Sequence, residues 1–146
     1  ERAHELGYSA VLYLDPKEKK YVDECGPANF FAIKDGVYIT PASESILPSV
    51  TNKSLMTLAE DMGIKVEARH ITVDELGEID EAAACGTAAV ASPIAEIHDL
   101  DNDTKYIVSP DGEPGPITTK LYNKLRAVQL GEEPDEHGWN TIVEGL

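Results

Sequence analysis

The chain has 146 residues, 42% of them hydrophobic, enough for one substantial core in a single compact domain. Twelve Lys and Arg against twenty-seven Asp and Glu leave a formal charge of −15, which repels phosphate backbones and anionic lipid and argues against nucleic acid or a membrane surface as a partner. The acids are spread along the chain, no apolar run reaches membrane-spanning length, and Cys25 and Cys85, the only cysteines, predict free thiols in a reducing cytoplasm.

The segment from Glu1 to Gly7 reads as the last turns of a helix closed by a left-handed cap at Gly7. Neither a helix start nor an initiator Met precedes it, so a longer parent protein is expected. Ser9 to Leu14 is a nearly continuous apolar run, expected to be a strand covered on both faces and ended by Asp15-Pro16. After the charged turn Pro16 to Lys20 comes Tyr-Val-Asp-Glu-Cys-Gly-Pro-Ala-Asn-Phe-Phe, Tyr21 to Phe31, where a carboxylate sits beside a Gly-Pro break. Phe30 to Ile33, Asp35-Gly36 and Val37 to Ile39 then spell a β-hairpin.

Pro41 to Pro48 predicts a loop, and the spacing of Leu55, Leu58, Ala59 and Met62 predicts a helix from about Asn52 to Met62, closed by Gly63. Lys65 to Ile71 has the alternation of a half-exposed strand. Thr72-Val-Asp-Glu75 matches a capping box opening a short helix through Ile79, and Ala82 to Ile97 reads as a pair of small-residue strands broken at Gly86-Thr87. A polar turn at Asp99 to Thr104, a strand at Lys105 to Val108 and a loop at Ser109 to Gly115 follow. The last helix begins at Pro116, keeps Ile117, Leu121, Leu125 and Val128 on one face, and ends at Gly131 before an acidic tail around Trp139.

Three breaks in this pattern are suited to chemistry. Glu24-Cys25-Gly26 holds a carboxylate among small residues, although Asp23 and Glu24 also read as solvated strand-end acids. Leu47-Pro48-Ser49-Val50-Thr51 places Val50 and Thr51 at a helix N-terminus, where free N–H groups attract an anion; the plainer reading makes Thr51 an N-cap. Cys85-Gly86-Thr87-Ala88-Ala89 lets a ligand approach the backbone beside a hydroxyl, or is a bulge in a strand. His4, His70, His98 and His137 lack metal-site spacing, no Cys-x-x-Cys occurs, and no nucleophile elbow or phosphate-binding Gly-x-x-x-x-Gly-Lys loop is present.

Together, Tyr21 to Phe31, Leu47 to Thr51, Gly86 to Ala89 with Ser92-Pro93, and Gly115-Pro116-Ile117-Thr118 resemble the C-terminal, larger domain of branched-chain amino acid aminotransferases. These are fold-type IV enzymes that use pyridoxal 5′-phosphate. The resemblance covers nearly the whole chain and implies one mixed α/β (α+β) domain of residues 1–146. By the same resemblance, Glu24 would be a buried carboxylate facing the cofactor's pyridine nitrogen, and Val50, Thr51, Gly86 and Thr87 would cup its phosphate. The amides of Thr87 and Ala88 would receive a substrate carboxylate, with small Ala88 and Ala89 leaving room for a branched side chain.

The resemblance also implies what lies elsewhere. The Schiff-base lysine would stand upstream of Glu1, as would the small N-terminal domain with its phosphate-binding arginine, so no catalytic residue is assigned within the chain. The implied parent is a cytoplasmic homodimer that moves the amino group between leucine, isoleucine or valine and 2-oxoglutarate. The human-type Cys-x-x-Cys redox pair has no counterpart after Gly86, and Ser49 stands where many members carry Gly. D-amino acid aminotransferase and aminodeoxychorismate lyase share the phosphate cup and remain alternatives, as does an acidic binding module without cofactor.

Overall fold

A computed structural model describes residues 2–145, so the expected helical position of Glu1 lies outside the described residues. Its centre is β3 (Ala28–Lys34), the strand richest in large apolar residues. One edge of β3 pairs antiparallel with β6 (Glu81–Gly86), from Asn29↔Cys85 to Ile33↔Glu81. The opposite edge is shared: the first residues of β3 pair with β2 (Val22–Cys25) and the last with β4 (Val37–Pro41). Asp35 and Gly36 both have positive φ (50° and 74°), which the two-residue hairpin turn between β3 and β4 requires.

The outer strands extend this hub. Strand β1 (Leu12–Leu14) pairs with β2, β5 (Val66–Arg69) lies parallel to β4, and β7 (Val90–Pro93) pairs with β6. A separate hairpin joins β8 (Glu96–Asp99) to β9 (Thr104–Ile107). One parallel pair among antiparallel ones makes this a mixed α+β fold. The parallel pair is the one bridged by a helix, as a crossover requires.

Two helices cover one face of the sheet, α2 (Val50–Asp61) and α3 (Pro116–Leu130), while α1 is the single turn Arg2–Glu5. Leu55, Leu58, Leu121 and Leu125 meet Phe31, Ile33, Tyr38 and Cys85 in the core beneath the helices. Full burial of each such leucine contributes about 2 kcal/mol. The other face packs Val22, Phe30, Ala32 and Ile39 against Ile71, Leu76 and the partly buried Ile97 and Tyr106 of the β8/β9 hairpin.

Several expectations need correction. The Ser9 to Leu14 run is not covered on both faces: only Leu12–Leu14 is strand, Val11 is 42% exposed and Tyr13 is 53% exposed. It pairs with β2 alone, with a register irregularity, so it is an edge strand and not an interior one. Helix α2 starts at Val50 because Ser49 is the N-cap, its Oγ accepting from the Asn52 amide at 3.1 Å; Thr51 is not the cap. The capping box at Thr72 is half-formed. The amide of Glu75 reaches the Thr72 hydroxyl at 3.3 Å, but the Glu75 carboxylate turns to Arg69 (2.6 and 2.9 Å) and Lys34 (3.0 Å), leaving a short 3₁₀ helix, Asp74–Glu78. Ala82 to Ile97 is not one strand pair, since its last residues leave for the β8/β9 hairpin.

The start of α3 shows why Gly115 and Pro116 stand together. Glu81, buried at the head of β6, accepts hydrogen bonds from the amides of Ile117 (3.0 Å) and Thr118 (2.7 Å). A carboxylate from another element thus caps the helix and meets its positive dipole end. Gly115 makes room for it: a Cβ there would overlap the Glu81 side chain, 2.6 Å from Oε2.

Candidate active site

A row of paired residues crosses the sheet near one end of β3. Glu24 pairs with Asn29, Asn29 with Cys85, and Cys85 with Ala91. Paired residues project to the same face, so this row lies on the side that carries α2 and α3. The first break, at Glu24, and the third, after Cys85, are thereby brought to one end of the sheet with β3 between them. The ideal Cβ position of Gly86 is 4.0 Å from the Cβ of Ala28.

The second break is tied to the same place by the peptide of Leu47. Its N–H donates to Glu24 Oε1 at 2.7 Å, and its carbonyl accepts from Asn29 Nδ2 at 3.1 Å. Two neighbouring strands therefore hold the loop that leads into α2. One oxygen of Glu24 is used in this way, and Oε2 has no hydrogen-bond partner among the described residues. Asn29 is the other half of the clamp.

Glu24 is half-buried, not buried as the resemblance implied. The buried acid is its neighbour Asp23, 6% exposed; the β1/β2 register, with two steps from Leu12 to Leu14 against three from Val22 to Cys25, puts an extra residue into β2 at this pair and breaks simple alternation there. Burial pushes the Asp23 carboxyl above the usual range, the Ser43 hydroxyl opposing it, and Oδ1 lacks a partner among the described residues.

At the N-terminus of α2 the Asn52 amide is taken by Ser49 and the Lys53 amide by the Ser49 carbonyl. The amides of Val50 and Thr51 have no acceptor among the described residues. Val50 is 80% exposed and Leu47 77% exposed, whereas Thr51 is buried. This is the donor set an anion needs: two free N–H groups at the positive end of a twelve-residue helix. Ser49, where a glycine was the family expectation, has a structural use as the cap.

The third break is the turn joining β6 to β7, with Thr87, Ala88 and Ala89 exposed. It closes on Val90, whose φ of 60° is abnormal for a β-branched residue and costs on the order of 1–3 kcal/mol. Burial of Val90 in the helix-side core holds it there. The sequence carries no sign of this strain, because valine ordinarily favours extended backbone.

Sequence reasoning also missed the polar cluster beneath the helix start. Asn52 Oδ1 accepts from the Tyr38 hydroxyl at 2.5 Å, Asn52 Nδ2 donates to Thr40 Oγ1 at 3.0 Å, and Thr40 Oγ1 donates to the Phe30 carbonyl at 2.9 Å. All four residues are buried. A usable signal was the Asn at the third helical position, poor in helix propensity and placed towards the core. Cys25 and Cys85 are buried, unbonded thiols, and burial pushes Cys85 up to about 12. Neither is poised as a nucleophile. The described residues contain no His, Cys, Asp and Glu group able to hold a metal ion.

The sheet register and the Leu47 contacts thus gather a half-buried carboxylate, a helix start with free amides and a strained turn of small residues at one end of a mixed sheet. The family model described as Amino-transferase class IV matches residues 1–97, and the chain belongs to that family. It is 49% identical over 139 residues to a branched-chain-amino-acid aminotransferase of Helicobacter pylori, covering 94% of this chain and 39% of that protein. It is also 43% identical over 148 residues to a probable branched-chain-amino-acid aminotransferase of Staphylococcus epidermidis, covering 97% of this chain and 40% of that protein.

Among solved structures, the branched-chain amino acid aminotransferase from Escherichia coli superposes with a TM-score of 0.83 at 30% identity, over 99% of this chain and 46% of that one. The branched-chain amino acid aminotransferase from Thermobaculum terrenum, in its PLP-form, superposes with a TM-score of 0.75 at 36% identity, over 90% and 41% of the two chains. The fold is thus that of the fold-type IV aminotransferases. The chain spans about 40% of the length of these curated relatives.

Proposed function

We propose that the chain is the C-terminal domain of a longer branched-chain amino acid aminotransferase, which exchanges the amino group of leucine, isoleucine or valine with 2-oxoglutarate by means of pyridoxal 5′-phosphate. The observation that carries this reading is the Leu47 clamp, because it ties the carboxylate of Glu24 to the loop that ends at the free amides of Val50 and Thr51. A ligand with a basic ring nitrogen at one end and a phosphate at the other meets a partner of the right kind at each.

When bound, pyridoxal phosphate supplies an electron sink for the charge left on the substrate α-carbon. The chain's own residues tune and orient. Glu24, through Oε2, favours a protonated ring nitrogen by placing a negative charge beside it. The Val50 and Thr51 amides, with Gly86 and Thr87, would cup the phosphate. The amides of Thr87 and Ala88 offer a donor pair for the substrate carboxylate, and Ala88 and Ala89 leave space for a branched side chain. The lysine that shuttles the proton is assigned to the part of the protein before Glu1.

Leu47 and Val50, large, apolar and exposed at the mouth of the site, suit a surface covered by the remaining domain or by a second copy of the chain in a homodimer. Two unbonded thiols suit the cytoplasm, and among the described residues no helix is long and apolar enough to cross a membrane. The test is an assay of the full-length protein with pyridoxal phosphate, 2-oxoglutarate and leucine, isoleucine, valine or their D-forms. Glutamate from the L-forms is expected. Glutamate from D-forms alone, or none at all, would reject the branched-chain assignment.

A further inference from the structure

Packing explains why α2 lies on the sheet, but not why its first turn is anchored by polar side chains in the core. Leu55 and Leu58 press the helix onto Phe31 and Tyr38. Such contacts are non-directional and leave the helix some freedom to slide or roll. Hydrogen bonds are directional, and Asn52 makes two that differ in kind: it accepts from Tyr38 and donates to Thr40, which in turn donates to the Phe30 carbonyl. Because the Thr40 hydroxyl gives its proton to the Phe30 carbonyl, it can only accept from Asn52, and reversing the amide would lose that bond. The first turn of α2 is therefore fixed to β3 and β4 in rotation and in height.

Asn52 also links this anchor to the helix start, since its own backbone amide is the one capped by Ser49. The next two amides outward, those of Thr51 and Val50, are the free pair. We propose that Asn52 is a positioning residue: held by Tyr38 and Thr40, it sets the direction of the Val50 and Thr51 amides towards the anion they receive. The inference rests on the reading that this anion is the phosphate of pyridoxal phosphate. It places the accuracy of the phosphate site in the rigid sheet below the helix and not in the exposed loop before it, as preorganised sites require.

The test uses the full-length protein stripped of cofactor and titrated with pyridoxal 5′-phosphate and, separately, with pyridoxal, which has the same ring and no phosphate. Asn52→Ala is expected to weaken binding of the phosphorylated ligand about tenfold, the worth of one well-aligned hydrogen bond, and to leave pyridoxal unchanged. Tyr38→Phe, which keeps the ring and removes the donor, should move the ratio of the two dissociation constants in the same direction by less. A general loss of stability lowers both affinities together, so the ratio separates positioning from folding. An unchanged ratio in Asn52→Ala, or in Tyr38→Phe should the first variant fail to fold, overturns the positioning role. A wild-type protein that binds pyridoxal as tightly as pyridoxal phosphate instead overturns the phosphate reading beneath it.

Discussion

Gly115→Ala gives a direct test of how β6 and α3 are joined, because its expected effect has the opposite sign from the ordinary one. Gly115 has φ −69° and ψ 171°, a conformation open to any residue. At such a position Gly→Ala normally stabilises a protein by about 0.4–1 kcal/mol, through the unfolded state. Here the added Cβ would overlap the Glu81 side chain, 2.6 Å from Oε2, so the carboxylate must leave the Ile117 and Thr118 amides. Hydrogen bonds to a charged group contribute about 1.5–3 kcal/mol each, and partial rehydration returns some of that. The expected loss is about 3 kcal/mol, or a fall in melting temperature of about 6–12 °C. Urea denaturation of both proteins, followed by far-UV circular dichroism, measures it. In a Glu81→Ala background the same substitution should cost less than about 1 kcal/mol, since nothing is left to displace. If Gly115→Ala proves neutral or stabilising in the wild-type background, the Glu81 cap is not the contact that joins these elements.

Glu24→Ala in the full-length protein should lower turnover with leucine on the order of a hundredfold, as removal of a preorganised electrostatic contact does, and wild-type turnover would remove Glu24 from the site. Glu75 is held at about 2 by the hydrogen bond from Arg69 and then by Lys34. Its folded value lies below the usual 4.5, so its stabilisation is complete above that pH and is lost as pH falls towards 2. Glu75→Gln should therefore flatten the acid limb of stability between those values, and an unaltered limb in denaturant titrations would contradict the ion-pair geometry. The 146-residue chain alone, mixed with pyridoxal phosphate, leucine and 2-oxoglutarate, should form no glutamate above a protein-free control; formation would mean that a lysine within the chain performs the chemistry.

The local grammar of the chain was readable without coordinates wherever one residue type answers one local constraint. The Asp35-Gly36 turn, the stop of α2 at Gly63, the start of α3 at Pro116 and its end at Gly131 all appear where the sequence places them. The residues of the three breaks were also legible, because small residues, a carboxylate and a helix start are visible as letters. What the letters cannot carry is partnership across the chain. Glu81 caps a helix 36 residues later, and Glu75 leaves its own capping box for Arg69 and Lys34. Leu47 is held by side chains from two strands, and Asn52 finds its partners on β4. Burial was likewise settled by packing: the extra residue in β2 opposite β1 falls at Asp23 and Glu24, of which Asp23 is buried and Glu24 half-buried, and on the edge strand Val11 and Tyr13 stay exposed while Leu12 between them packs on the core. Hydrophobic periodicity and turn chemistry act over a few residues and are written in order, whereas hydrogen-bond complementarity and sheet position depend on which distant segments meet, and only the folded chain decides that.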